Sequence, residues 1–159
     1  MRLPFPLLLP FAIAVGAAQA QAEPQAPSFA VRGVEGRVIR SGDFRGRPMV
    51  LDFWATWCGP CRASMPHLDA MQTRYRDRGL VIVGLSVDEQ PPSEVRDFAQ
   101  RLGVKFRLGM ADEKVLDSFG PIRAIPTTFF INRQGEVVRR VVGYIDAETM
   151  DAYVRELLP

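Results

Sequence analysis

The chain has 159 residues, 47% of them hydrophobic and 24% charged, with a formal net charge of +2. That length and composition suit one domain around one core. The near-balanced charge offers no electrostatic basis for binding nucleic acid or an acidic membrane surface.

The first stretch is set apart from the rest. Met1 and Arg2 make a minimal positive start, Leu7 to Ala18 is apolar, and Ala18-Gln19-Ala20 has the small-x-small pattern of a leader cleavage site. Ala20-Gln21-Ala22 overlaps it, so the cut falls after Ala20 or Ala22. Pro10 and Gly16 interrupt the apolar run, which falls short of the ~20 residues a membrane span needs. A cleaved signal peptide over 1–20 fits better than an anchor. It implies export to an oxidising compartment, expected to be a bacterial periplasm. Residues 21–27, with Glu23-Pro24-Gln25-Ala26-Pro27, read as a tether, and 28–159 as one domain.

Within that domain, Ser28 to Arg40 has strand-like residues around Gly33 and Gly36 and suggests an N-terminal hairpin. Met49–Trp54 and Leu80–Val87 are short apolar runs that read as buried central strands. Between them, Met65, Leu68, Met71 and Tyr75 predict a helix from about Gly59 to Arg78, kinked by Pro66 and stopped by Gly79. A second helix begins near Pro92, with Val95, Phe98, Ala99 and Leu102 at helical spacing, and a brief strand follows at Lys105–Leu108. Asp112 is placed to cap a short helix carrying Val115, Leu116 and Phe119. Thr127–Asn132 and Glu136–Val142 form a hairpin, and a last helix runs from about Asp146. Strand, helix, strand in this order makes a right-handed crossover with a parallel pair, so the domain is α/β.

Trp57-Cys58-Gly59-Pro60-Cys61 holds both cysteines of the chain. A disulfide across so short a loop contributes only roughly 2 kcal/mol in the chain-entropy account, its weakest regime. Stability is a poor reason for such a pair; redox exchange is a good one. Cys58 falls where a strand gives way to a helix N-terminus, whose free N–H groups and dipole favour an exposed thiolate. Cys61 lies one turn further in and more buried. Cys58 is therefore expected to attack a substrate disulfide, and Cys61 to resolve the mixed disulfide. Half of a zinc site is the rival reading, but no third cysteine exists and His67 is the sole histidine. No metal is expected, and no cofactor beyond the Cys58–Cys61 disulfide.

Phe53-Trp54-Ala55-Thr56-Trp57-Cys58-Gly59-Pro60-Cys61, with Pro66 five residues on and Ile125-Pro126-Thr127 downstream, resembles the thioredoxin-fold oxidoreductases. The leader, the N-terminal hairpin and Thr127-Thr128-Phe129-Phe130-Ile131 make the chain similar to their exported TlpA/ResA-like branch. The resemblance implies a thioredoxin-like, three-layer α/β/α domain with a central mixed sheet. It also implies a helical insertion between Asp88 and Pro126, ahead of a cis-proline loop.

Asp52 is the next candidate. An acid inside Val50-Leu51-Asp52-Phe53-Trp54 is costly if ionised and buried without a partner, so its pKa should rise. It then suits the role of proton acceptor for the Cys61 thiol. By resemblance the position matches the buried aspartate of cytosolic thioredoxins. Two departures stand beside that match. Many TlpA/ResA-like chains carry Asn here and a Glu three residues after the second cysteine, where this chain has Ser64. Thioredoxin's neighbouring lysine aligns with Gly84. Asp52 is thus expected to serve as the acid with no lysine beside it.

From the residues alone the Ile125–Pro126 bond would be trans, since cis is only about 5–6% of such bonds. The resemblance implies cis, with the Ile125 backbone turned toward an extended substrate. Trp57, Gly59, Pro60, Ile125 and Pro126 make up the expected substrate-binding residues, Trp57 by packing on substrate. Trp54 and His67 read as structural, and Asp88-Glu89 as a turn without an assigned role.

The Gly59-Pro60 pair also bears on direction. Strong oxidants of this fold, resembling DsbA, carry a histidine there; this chain does not. Thioredoxin lies near −270 mV and DsbA near −120 mV, a gap of roughly 7 kcal/mol for two electrons. A protein-disulfide reductase is expected, with a general oxidant or isomerase as the runner-up. The resemblance implies disulfide-bearing protein clients, apocytochrome c and copper-site assembly proteins among them, and a membrane thiol transporter as electron donor. The domain is expected to be a monomer. A copper-binding assembly factor is the non-enzyme alternative, and a thiol peroxidase fails because Ala55 stands where it needs Thr.

Overall fold

A computed structural model describes residues 24–159. The leader expected over 1–20 lies outside the described residues. Strands β1 (Ala30–Arg32) and β2 (Val38–Arg40) pair antiparallel as a separate hairpin. The central sheet holds β3 (Met49–Trp54), β4 (Val81–Ser86), β5 (Arg107–Met110), β6 (Thr127–Ile131) and β7 (Val137–Val142). Their order is β5-β4-β3-β6-β7, with β3–β4 and β4–β5 parallel and β3–β6 and β6–β7 antiparallel. Four α-helices complete the described residues: α1 (Gly59–Tyr75), α2 (Pro92–Arg101), α3 (Glu113–Ser118) and α4 (Ala147–Leu157).

The sheet separates two apolar cores. Every residue of β3 and β4 is buried, as expected of strands covered on both faces. Side chains alternate across the sheet, so Val50 and Trp54 face the core built by α1, α2 and α4. Met49, Leu51 and Phe53 face the other, built with Phe29, Val31, Phe44, Val115 and Phe119 from the hairpin side and α3. Asp52 lies in step with Val50 and Trp54 and therefore points toward α1. The helix runs unbroken through Pro66, gives way to a 3-10 turn at Arg76–Arg78, and ends at Gly79. This is the three-layer arrangement with a mixed sheet.

Two expectations change in detail. β5 lies two residues later than the apolar run suggests, because its parallel register on β4 pairs Val83 with Arg107 and Ser86 with Met110. Gly109 then meets Gly33 in an isolated bridge, and a Cβ there would sit 3.0 Å from Val31 and 3.3 Å from the Arg32 carbonyl. A Cβ there would require its neighbours to give by a few tenths of an ångström. The insertion expected between Asp88 and Pro126 is present, with α2 and α3 flanking edge strand β5. Finally, the C-terminal part of the tether is docked. Ala26 N–H donates to the Gly135 carbonyl at 2.8 Å, and Val137 N–H to the Pro24 carbonyl at 2.8 Å. Prolines at 24 and 27 read as linker, yet the open edge beside the β6–β7 turn supplies partners for their neighbours.

Candidate active site

Cys58 is the N-cap of α1, in an extended conformation, at the carboxyl end of β3. Its sulfur accepts from the Cys61 amide at 3.2 Å, one of the N–H groups that a helix leaves without an intrahelical partner. The two sulfurs are joined at 2.06 Å, so the site is oxidised here. Cys61 is 0% exposed and Cys58 only 5%. The order of burial is the expected one, but Cys58 is less open than a surface thiol. The Ile125 carbonyl lies 3.8 Å from its sulfur and closes one side.

The rim around that sulfur is apolar and solvent-facing. Trp57 is 68% exposed, and Gly59 and Pro60 are exposed beside it. Ile125 is half-buried, Pro126 is buried, and the bond between them is cis. The Pro126 carbonyl accepts from Gly143 N–H at 2.8 Å, which ties the end of β7 to this loop. The structure thus gathers Trp57, Gly59, Pro60, Ile125 and Pro126 around Cys58. His67 stands apart, 3.1 Å from the Tyr144 hydroxyl. One cleft of about 520 Å³, between the hairpin and α2, contains none of these residues. Cys58 is flanked instead by the exposed Trp57, Gly59 and Pro60.

The acid lies on the strand that leads into the redox pair. Asp52 is 1% exposed on the central strand β3, and its Oδ1 accepts from the Thr128 hydroxyl at 2.7 Å across the antiparallel pairing with β6. Its Oδ2 has no partner among the described residues. Burial pushes the Asp52 pKa up to about 7, and the Thr128 bond opposes that rise without cancelling it. Gly84 sits beside it in register on β4. A Cβ on Gly84 would come within 2.8 Å of Leu108, 3.0 Å of Phe106 and 3.1 Å of the Trp54 indole nitrogen. Those side chains fill the place where a lysine would stand. Ser64 is buried and donates to the Pro60 carbonyl at 3.2 Å, within the first turn of the helix.

One cluster was left without a role by the sequence. The Asp88 carboxylate accepts from Thr56 N–H at 2.9 Å, from the Thr56 hydroxyl at 2.6 Å and from the Ser86 hydroxyl at 2.6 Å. The Ser86 oxygen in turn accepts from Asp88 N–H at 3.0 Å. Thr56 precedes Cys58 by two residues. The signal available in the sequence is an acid just beyond the end of the strand that pairs with the motif-bearing strand. An acid followed by Glu89 reads as an ordinary polar turn, so nothing marked it out.

Comparison with known proteins agrees with this geometry. The family model described as Redoxin matches residues 21–157. The thiol-disulfide oxidoreductase ResA of Bacillus thuringiensis (strain Al Hakam) is 32% identical over 136 residues, covering 85% of this chain and 78% of that protein. ResA of Geobacillus thermodenitrificans (strain NG80-2) is 33% identical over 135 residues, covering 84% and 76%. Among solved structures, a thiol:disulfide interchange protein of the thioredoxin family from Chlorobium tepidum TLS superposes with a TM-score of 0.82 at 32% identity. That superposition covers 89% of this chain and 100% of that one. The thioredoxin-like fold and a Cys58–Cys61 pair held at a helix N-terminus therefore have the same explanation: the chain belongs to the Redoxin family, as a ResA-like thiol–disulfide oxidoreductase.

Proposed function

We propose that this oxidoreductase works as an exported, periplasmic protein-disulfide reductase. The observation that carries the direction is the environment of the Cys58 sulfur. Among the described residues its hydrogen-bond donor is the Cys61 amide alone, with Gly59-Pro60 and no charged group between the cysteines. Thiolate stabilisation by one backbone donor is modest, so the reduced form is not held strongly. Strong oxidants of this fold need the opposite, an over-stabilised reduced form.

The reaction then runs in two exchanges. The Cys58 thiolate attacks one sulfur of a client disulfide; that bond breaks and a client thiolate leaves. Cys61 gives its proton to Asp52 and attacks the Cys58 sulfur of the mixed disulfide, releasing the second client thiolate. The client gains two electrons and the Cys58–Cys61 bond forms. Trp57, Gly59, Pro60, Ile125 and Pro126 hold the client strand beside the sulfur. The buried Asp52, with one oxygen that has no donor among the described residues, is suited to accept a proton near neutrality. A membrane thiol transporter would return electrons to the pair. Apocytochrome c and copper-site assembly proteins are the client classes that the family resemblance suggests, and the protein acts as a monomer with no metal or added cofactor.

Equilibration against glutathione, with insulin reduction in parallel, tests the direction. A potential near −270 mV, with insulin reduced, is expected; one near −120 mV makes the protein an oxidant. Covalent capture of partners by Cys61→Ser in the exporting cell then identifies the clients.

A further inference from the structure

The loop Ala55–Trp57 joins β3 to the helix that carries both sulfurs, and its main chain has few partners of its own. The parallel ladder ends where Val87 N–H donates to the Trp54 carbonyl at 2.9 Å. Beyond that point β4 has turned away, so Thr56 N–H has no strand to bond to. The Asp88 side chain takes over. Its two oxygens receive Thr56 N–H, the Thr56 hydroxyl and the Ser86 hydroxyl, all within 2.9 Å, and Ser86 is 0% exposed. A carboxylate gripping a main-chain N–H and the adjacent hydroxyl of one residue fixes both the position and the rotation of that residue.

Two residues later comes Cys58, whose N–H donates to the Ala55 carbonyl at 3.2 Å in a tight turn around Thr56 and Trp57. The turn determines where the sulfur points. We propose that Asp88 is a positioning residue: by clamping Thr56, with Ser86 as its brace, it holds the Cys58 sulfur on the Cys61 amide. The clamp acts through geometry and touches neither sulfur nor client. Its own negative charge works the other way, since a nearby carboxylate disfavours a thiolate.

These opposite signs make the idea testable. Other charged groups flank the loop: Glu94, Asp97 and Arg101 of α2 line a small cleft with Thr56, Glu89 adjoins Asp88, and Arg62 and Arg123 neighbour Cys61 and Ile125 in the chain. None of them hydrogen bonds to the Asp88 carboxylate among the described residues, whose three donors are neutral. They are present in every variant below and do not account for a difference between them.

The measurement is the pH profile of iodoacetamide alkylation of the reduced protein, with the modified cysteine located by mass spectrometry. Asp88→Ala is expected to shift the Cys58 profile upward by about half a pH unit, the size of a displaced helix-terminus interaction. Below the midpoint that is roughly a threefold slower reaction at fixed pH. Thr56→Val keeps the charge, the main-chain bond and the Ser86 brace while removing one hydroxyl. It is expected to shift the profile upward by a smaller amount, and Thr56→Ser to restore it. A downward shift in Asp88→Ala means that charge outweighs geometry and overturns the proposal, as does an unchanged profile. Should Asp88→Ala not fold, the pair Thr56→Val and Thr56→Ser decides alone: equal profiles overturn the clamp. The proposal rests on Cys58 being the attacking thiol. Alkylation of Cys61 in the unmodified protein would refute that reading separately, before any variant is compared.

Discussion

Two aspartates are buried, one in the middle of β3 and one just past the end of β4, and their surroundings are opposite. Among the described residues Asp52 has one donor, from Thr128, and one oxygen without a partner. Asp88 has three donors on two oxygens. A carboxyl short of donors in a dry interior holds its proton toward neutral pH, and Asp52 is pushed up to about 7. One wrapped in donors serves as a fixed anchor. Burial alone therefore does not distinguish the two acids; the donors around them do.

The sharpest way to break this contrast is the pH dependence of stability. Between the ordinary value of 3.8 and about 7, the unfolded chain ionises Asp52 while the native one keeps the proton. The native state then binds more protons, so its stability falls as pH rises through that window. The contribution is intact below about pH 4 and fully lost above about pH 7, a span on the order of 4 kcal/mol. Asp52→Asn keeps the Thr128 bond and removes the charge. Urea denaturation across pH 4 to 8 is expected to show a flatter curve and a variant more stable than wild type at pH 8. Identical slopes would mean that Asp52 titrates normally.

The same substitution bears on chemistry. With no acceptor for the Cys61 proton, release of client from the mixed disulfide is expected to slow by about a hundredfold near pH 7, while the initial attack by Cys58 is spared. Stopped-flow following of a mixed disulfide with a chromophoric thiol separates the two steps. A rate and pH dependence of release that match wild type remove Asp52 from the mechanism.

Smaller effects test the surroundings of each acid. Gly84→Ala forces a methyl among Leu108, Phe106 and the Trp54 indole beside Asp52, with an expected loss of about 1–3 kcal/mol by urea denaturation. Ser86→Ala removes the brace of Asp88 and is expected to destabilise by about 1 kcal/mol. An unchanged stability in Ser86→Ala would mean that the Ser86 bond adds nothing to the anchoring of Asp88.

Much of the fold was legible because its strands and helices carry strong local patterns. Met49–Trp54 is observed as read, Asp112 and Asp146 cap their helices through Val115 N–H and Thr149 N–H, and the β6–β7 hairpin turns where its Asn-Arg-Gln-Gly stretch falls. The shift in β5 and the docking of Pro24–Ala26 were not legible. Both depend on a partner strand distant in sequence, and a short edge segment takes its register from that partner rather than from its own residues.

The site divides in the same way. The amino-acid sequence by itself determined the redox pair, its place at a strand-to-helix junction and the presence of an acid in an apolar strand. Each is a statement about neighbours along the chain, where spacing decides geometry. Only the tertiary structure decided how many donors each acid meets, that Gly84 faces a filled space, and that the Asp88 carboxylate reaches back to Thr56. Those depend on which side chains cross from one strand to the next. Desolvation and hydrogen bonding act through space, over a few ångströms, and spacing along the chain does not report them.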